Sequence, residues 1–469
     1  MVLMGRRLTQ NEEHGRLIRS ITIVVWFCAL FSIFKSVQYD GPLRLIAMLP
    51  CVYVISFWRL KNYLMRFRPG IITLNIILFL RYVIMPVTIF DETDAGALSQ
   101  ITHLSDALCL MIYEEICVFA TIFWVSRKLD RKITLQAKAV HICTNTFFFY
   151  VCVVVFVVLC FLYPALIGSW GAFTGEFEME ELEAVTNTNG VIRIVFGLLE
   201  AVIALWVIDW CRYKYGKRAS NLYPLIATVT VIAYLLLIQM GSVRISRWQL
   251  VVCGAAMFAL LVSFFPRNKK LFVFTLLLPS CLIILFVTGV KNLGYDLAGE
   301  QEISVKGDLS NAYFAGPYNV SAAISLAERE QADRVPLWND LLYGLPGISR
   351  TIGYKGTSSY LFNKVYYGDN RHNDAIIPLI GQSYYYFGPI LSPILSVLIV
   401  FFLLIYDKKY VTTANDDIRK YIYAYIAIWL GIQSILNVTI CMSWVYQRVI
   451  PLVIILWMFA PRVKTRVLY

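Results

Sequence analysis

Apolar runs of about twenty residues recur along the whole 469-residue chain, separated by short polar segments. Each is long enough to cross about 30 Å of hydrocarbon. They fall near 18–34, 43–58, 70–90, 107–126, 141–167, 190–210, 222–240, 248–265, 271–290, 376–406, 421–437 and 444–460. The pattern predicts an all-α polytopic integral membrane protein with about twelve transmembrane helices. Residues 1–290 carry the first nine spans, 291–375 form one long polar segment, and 376–469 carry the last three. A loop that long is improbable inside a compact protein unless it has a task. Part of it is expected to be helical, because Val320, Ala323, Ile324 and Ala327 follow a helical spacing within 319–333.

Composition agrees. The chain is 59% hydrophobic and 15% charged, where a soluble protein carries about 25% charged residues. The formal charge of +12 does not point to nucleic acid, because its distribution follows the spans. Basic groups such as Arg59, Lys61, Arg66 and Arg68, or Arg212, Lys214, Lys217 and Arg218, occupy every second loop. The intervening loops are acidic or neutral, as in Asp91-Glu92-Thr93-Asp94. This alternation predicts a multi-pass protein with both termini cytoplasmic and the 291–375 segment outside. No cleavable signal peptide is expected, since no small-residue cleavage site follows the first apolar run. The cysteines lie mostly within apolar spans and form no CxxC pair, so they read as small buried hydrophobes.

Charges that this topology does not explain are the best pointers to function. Arg244 and Arg247 sit in a very short outer turn that should be neutral. Arg193 stands at the outer end of the sixth span and Arg448 near the outer end of the twelfth. Arg350, Lys355 and Arg371 lie in the long loop. Guanidinium groups grip phosphate bidentately, so these residues suit a pyrophosphate headgroup whose lipid tail stays in the bilayer. They also suit plain contact with lipid headgroups. Arg81 is expected well inside the third span, at the depth of Glu114 and Glu115 in the fourth; it can form a buried ion pair with them or face substrate. Glu200, midway down the sixth span, has no obvious partner.

The long loop closes on Arg371-His372-Asn373-Asp374 and then runs into an apolar span through Gly381-Gln382-Ser383-Tyr384-Tyr385-Tyr386-Phe387-Gly388-Pro389. His372 can remove a proton from a sugar hydroxyl, or it can simply be solvated. Tyr367, Tyr384 and Tyr385 can stack on sugar rings, although tyrosines also gather at membrane interfaces for other reasons. No Walker loop, HExxH or Gly-x-Ser-x-Gly elbow occurs. Any chemistry is expected to need no metal or other cofactor, resting on positioning and on cationic stabilisation of a leaving pyrophosphate.

These features together, above all His372-Asn373 followed by an apolar segment ending in Tyr386-Phe387-Gly388-Pro389, resemble the bacterial oligosaccharide repeat-unit polymerases (Wzy) and the related O-antigen ligases. The resemblance covers the architecture of the chain, and its motif content is confined to about 20 residues. It implies a glycosyltransferase of the bacterial plasma membrane that moves a glycan chain from undecaprenyl pyrophosphate onto the sugar hydroxyl of another lipid-linked repeat unit. Membrane lipid, a chain-length regulator and a flippase are its implied partners. By position, the histidine role falls on His372, with Asp374 beside it, and the arginine role on Arg244, Arg247 or Arg371. The charge pattern itself adds Arg193, Arg448, Arg81 and Arg350 as candidate pyrophosphate ligands. Many polymerases carry Gly-Glu-x-Tyr where this chain has Gly381-Gln382-Ser383-Tyr384, so Gln382 cannot act as a base and His372 or Asp374 must. A lipid-linked oligosaccharide flippase, or a ligase with a different acceptor, is the alternative. On the polymerase reading, His372→Ala and Arg247→Ala abolish glycan elongation while the protein still inserts; wild-type elongation by both variants would refute these assignments.

Overall fold

The computed structural model describes residues 2–39, 41–66, 68–91, 101–130, 140–164, 166, 190–240, 247–277, 313–329, 334–368 and 375–459. Every regular element among them is helical. Six stretches are long and apolar enough to cross a membrane: Ile18–Ser36, Gly41–Leu64, Pro69–Ile89, Leu104–Leu129, Gly190–Lys217 and Val438–Met458. The number rises to eight if two bent pairs each count as one span. Thr146–Leu162 and Leu222–Ile238 are apolar but shorter. The protein is therefore an all-helical membrane protein, with fewer described spans than the twelve expected.

Two boundaries move for clear reasons. The apolar stretch 376–406 is not one rod: helices Leu379–Leu391 and Ile394–Thr412 meet at 107°. Pro393 stands at the corner, where a ring without an N–H cannot continue the hydrogen-bond ladder. Just before it, Gly388 takes φ 75° and ψ −176°, a conformation that glycine alone adopts readily. The second shift concerns the last two spans, read from sequence as 421–437 and 444–460. Helix Arg419–Ile432 ends in a 3₁₀ turn at Gln433–Ile435 and extended backbone at Leu436, and helical structure resumes at Val438. The Asn437 side chain accepts the Ile440 N–H at 2.8 Å and caps the new start.

The chain divides into two compact units that do not follow the three consecutive segments read from sequence. The first contains Met1–Lys132, Glu300–Ile405 and Trp429–Ser443. Here the described part of the long loop has its own apolar core. Helix Pro317–Arg329 is buried along Pro317–Ala327 and packs on Leu104–Asp130, Ser358–Tyr367 and Leu379–Leu391. It is rich in small residues, and a Cβ at Gly381 would lie 2.5 Å from that of Ala323, so Gly381 permits this close crossing. The core joins Ala322, Ala323, Leu326, Phe362, Ile377 and Tyr385.

The second unit contains Ile133–Gly299, Tyr406–Ile428 and Trp444–Tyr469. Helix Gly190–Lys217 packs against Leu222–Met240, which packs against Arg247–Phe264. The 218–221 connection is short, so the first two run antiparallel and the starts of Gly190–Lys217 and Arg247–Phe264 lie at one end of the unit. At the other end Asp209 is fully buried: its carboxylate accepts the N–H groups of Ile142 (2.6 Å) and Cys143 (2.9 Å). His141 lies 2.9 Å from the same carboxylate and 3.9 Å from Asp416. The hydrogen bond to Asp209 raises the His141 pKa above its ordinary value, against an opposing loss of solvation.

Candidate functional site

Both units hold polar centres in otherwise apolar surroundings. In the first unit, helix Leu337–Leu342 buries Asp340 completely. One Asp340 oxygen accepts the Ser358 N–H at 3.1 Å. The other accepts from the Ser358 hydroxyl at 2.5 Å, the Gln382 amide at 2.7 Å and the Tyr386 hydroxyl at 2.5 Å. The carboxylate is thus held by neutral donors, which spread its charge without an ion pair. Gln382 is buried as well, and its Oε1 accepts the Val438 N–H at 2.8 Å, one of the donors left free where that helix restarts. Asn437 donates to the Ser359 hydroxyl at 3.2 Å. Asn363 secures the end of the loop, exchanging hydrogen bonds with both Ala375 N–H (3.0 Å) and Ala375 C=O (2.9 Å). Gln382 is therefore the hinge-pin of this network. A glutamate there would set a second carboxylate against Asp340.

Deeper in the same unit, Arg81 and Glu114 form a fully buried ion pair at 3.0 Å. Glu114 also accepts from the Tyr82 hydroxyl (3.0 Å) and the Ser396 hydroxyl (2.5 Å). Arg81 Nη1 donates to the Ser434 carbonyl at 2.8 Å, which the helix break at 433–437 leaves free. Pairing is what keeps such charges affordable in a membrane interior. It also makes Arg81 a buried pair member rather than a pyrophosphate ligand in this conformation.

The second unit's centre is Arg448, on the π-turn Val445–Val449. Such turns rotate a side chain out of the α-helical register and recur at functional sites; Arg81 also sits on one, Leu80–Ile84. The Arg448 guanidinium lies directly on the backbone of helix Gly190–Lys217: a Cβ at Gly197 would stand 2.5 Å from Nη1. Tyr234, Tyr425, Cys253 and Glu200 surround it closely enough to feel its charge. No salt bridge joins Arg448 to any carboxylate among the described residues. Buried Glu200 leaves its Oε1 without a hydrogen bond. Arg193, four residues before Gly197 and about 6 Å along the same helix, has a buried Nε with no partner. Arg193 and Gly197, one turn apart, share a face of the helix.

Other sequence-predicted residues fall out as follows. Tyr385 is fully buried in the loop core, its hydroxyl accepting the Val335 N–H at 2.8 Å, so its ring is closed to a sugar. Tyr384 and Tyr367 are half-buried on the rim of that core. Arg350 is exposed on helix Ile348–Ile352. Arg371, His372, Asp374 and Arg244 lie outside the described residues, as does the side chain of Arg247, whose backbone starts helix Arg247–Phe264. Comparison with family models, with curated proteins and with solved structures finds no match for this chain.

Sequence reasoning missed Asp340 and Gly197. The first sits in a short loop helix with no flanking motif. The second is one apolar-span glycine among several, and only the arginine resting on it gives it meaning.

Gln382→Glu should destabilise the protein by about 1–3 kcal/mol near neutral pH. The paired carboxyls would bind a proton more readily folded than unfolded, so stability should return as the pH falls. Gln382→Met should lose stability at every pH. Thermal unfolding across a pH series reads both, and a pH-independent Gln382→Glu would contradict the contact with Asp340.

Proposed function

We propose that this protein is a polysaccharide polymerase: a metal-independent glycosyltransferase that extends a glycan carried on undecaprenyl pyrophosphate. The observation that carries the reading is Arg448, a half-buried guanidinium packed on Gly197 in an apolar helical unit with no described carboxylate paired to it. A cation there lowers its free energy most by meeting an anion, and a lipid diphosphate brings one while its tail remains in hydrocarbon. Arg193, one turn away on the same helix face, adds a second donor. Both stand near the start of helix Gly190–Lys217, at the end of the unit where helix Arg247–Phe264 begins.

In this reading the acceptor hydroxyl oxygen bonds to the anomeric carbon of the donor glycan while the bond from that carbon to the pyrophosphate oxygen breaks. The sequence resemblance gives the hydroxyl proton to His372, with Arg371 and Asp374 as its neighbours in sequence. Within the second unit, Arg448 and Arg193 would hold the undecaprenyl pyrophosphate as its charge grows. Tyr384 and Tyr367 present half-buried rings suited to sugar faces.

A lipid-linked oligosaccharide flippase is the second reading. A specific observation favours it: the helix break at 433–437, with Arg81 and Glu114 at its side, puts polar groups and unwound backbone deep within apolar helices, as transporters do.

Purified protein supplied with a lipid-linked repeat unit distinguishes the two. A ladder of longer glycans on a gel supports the polymerase. Unchanged substrate that crosses a vesicle bilayer supports the flippase, and transfer to a different acceptor supports a ligase. Arg448→Gln should lower ladder formation at least tenfold, a loss of about 1.4 kcal/mol. Gly197→Ala, which pushes the guanidinium off its seat, should do the same without unfolding the protein. Undiminished ladders from both would remove Arg448 from the mechanism.

A further inference from the structure

The buried centre of the first unit has an unbalanced charge count. Arg81, Glu114 and Glu115 are 0%, 1% and 0% exposed, so two carboxyl groups share one guanidinium. Glu114 is fully provided for by Arg81, Tyr82 and Ser396. Glu115 is not: neither of its oxygens has a hydrogen-bond partner, although it lies near enough to feel both Arg81 and Glu114. Arg81 likewise keeps Nε and Nη2 free. An ionised carboxylate with no donor, out of water and beside another carboxylate, carries a cost no fold sustains. One positive charge is missing, and the neighbouring guanidinium argues against a metal cation filling the place.

We propose that Glu115 is an intramembrane proton-binding site, holding one proton that makes the Arg81–Glu114–Glu115 triad neutral. The site is joined to the fold around it. Arg81 spends Nη1 on Glu114 and on the Ser434 carbonyl at the helix break. Just beyond the break, Asn437 bonds Ser359 and the Val438 N–H bonds Gln382, which holds Asp340. When the proton leaves, Glu115 becomes an acceptor for the free Nε and Nη2 of Arg81 and competes with Ser434 for the guanidinium. Proton loss at Glu115 thereby loosens the break and the hydrogen bonds that reach from it into the loop network. This reading is independent of glycan transfer, since the charge count stands whatever the protein acts on.

Infrared spectra of the purified full-length protein near neutral pH test it. The wild type should show carbonyl absorption from protonated carboxylic acid, and Glu115→Gln should lose the component that Glu115 contributes, leaving any from Glu200, while keeping the wild-type unfolding temperature. Glu114→Gln should lose it too, because Glu115 then becomes the sole acidic partner of Arg81. An identical carbonyl band in the wild type and Glu115→Gln would overturn the proposal. A marked fall in unfolding temperature for Glu115→Gln would overturn it as well, because it would mean that the group carried a charge paired to Arg81.

Discussion

A polar group removed from water must find a partner inside the protein, and in apolar helical surroundings there is little else to offer one. That constraint shapes both units. It explains why Glu114 gathers Arg81, Tyr82 and Ser396, and why four donors converge on Asp340. It also explains why the carbonyl freed at Ser434 meets a guanidinium. The constraint is left unmet at buried Glu115 and Glu200, and half-buried Arg448 has no described carboxylate paired to it. Function is therefore sought at the exceptions.

The two units meet the requirement differently. In the first, the polar groups are knitted to one another, and the stretch Gly381–Pro389 does most of the joining. Gly381 allows a close helix crossing, Gln382 spans two chain segments, Tyr385 fills the core, Tyr386 reaches Asp340, and Gly388 turns the chain. The result is a loop core in which the hydroxyls of Tyr385 and Tyr386 serve the fold first. In the second unit the Arg448 guanidinium lies on Gly197, and the proposed anionic guest would meet it there.

The helical class was legible because a run of twenty apolar residues has one physical meaning in this context. The Arg81–Glu114 pair was legible too, since a charge at that depth needs an opposite one at the same depth. Breaks within apolar runs were not. Neither the corner at Ser392-Pro393 nor the gap at 433–437 alters hydropathy enough to show, and each depends on which backbone groups find outside partners. The tyrosines misled for a related reason: consecutive aromatic residues on a helix point in different directions, so Tyr385 turned inward while Tyr384 and Tyr386 stayed at the rim. Asp340 left no trace in the sequence because its donors come from segments 18 to 46 residues away.

The account rests most heavily on Arg448 being a cation that awaits a diphosphate. Equilibrium binding of undecaprenyl pyrophosphate, with no sugar attached, to the wild-type protein and to Arg448→Gln in lipid nanodiscs measures this directly. The account predicts binding by the wild type that weakens at least about tenfold in the variant, worth roughly 1.4 kcal/mol. Equal affinity for the two proteins would contradict it.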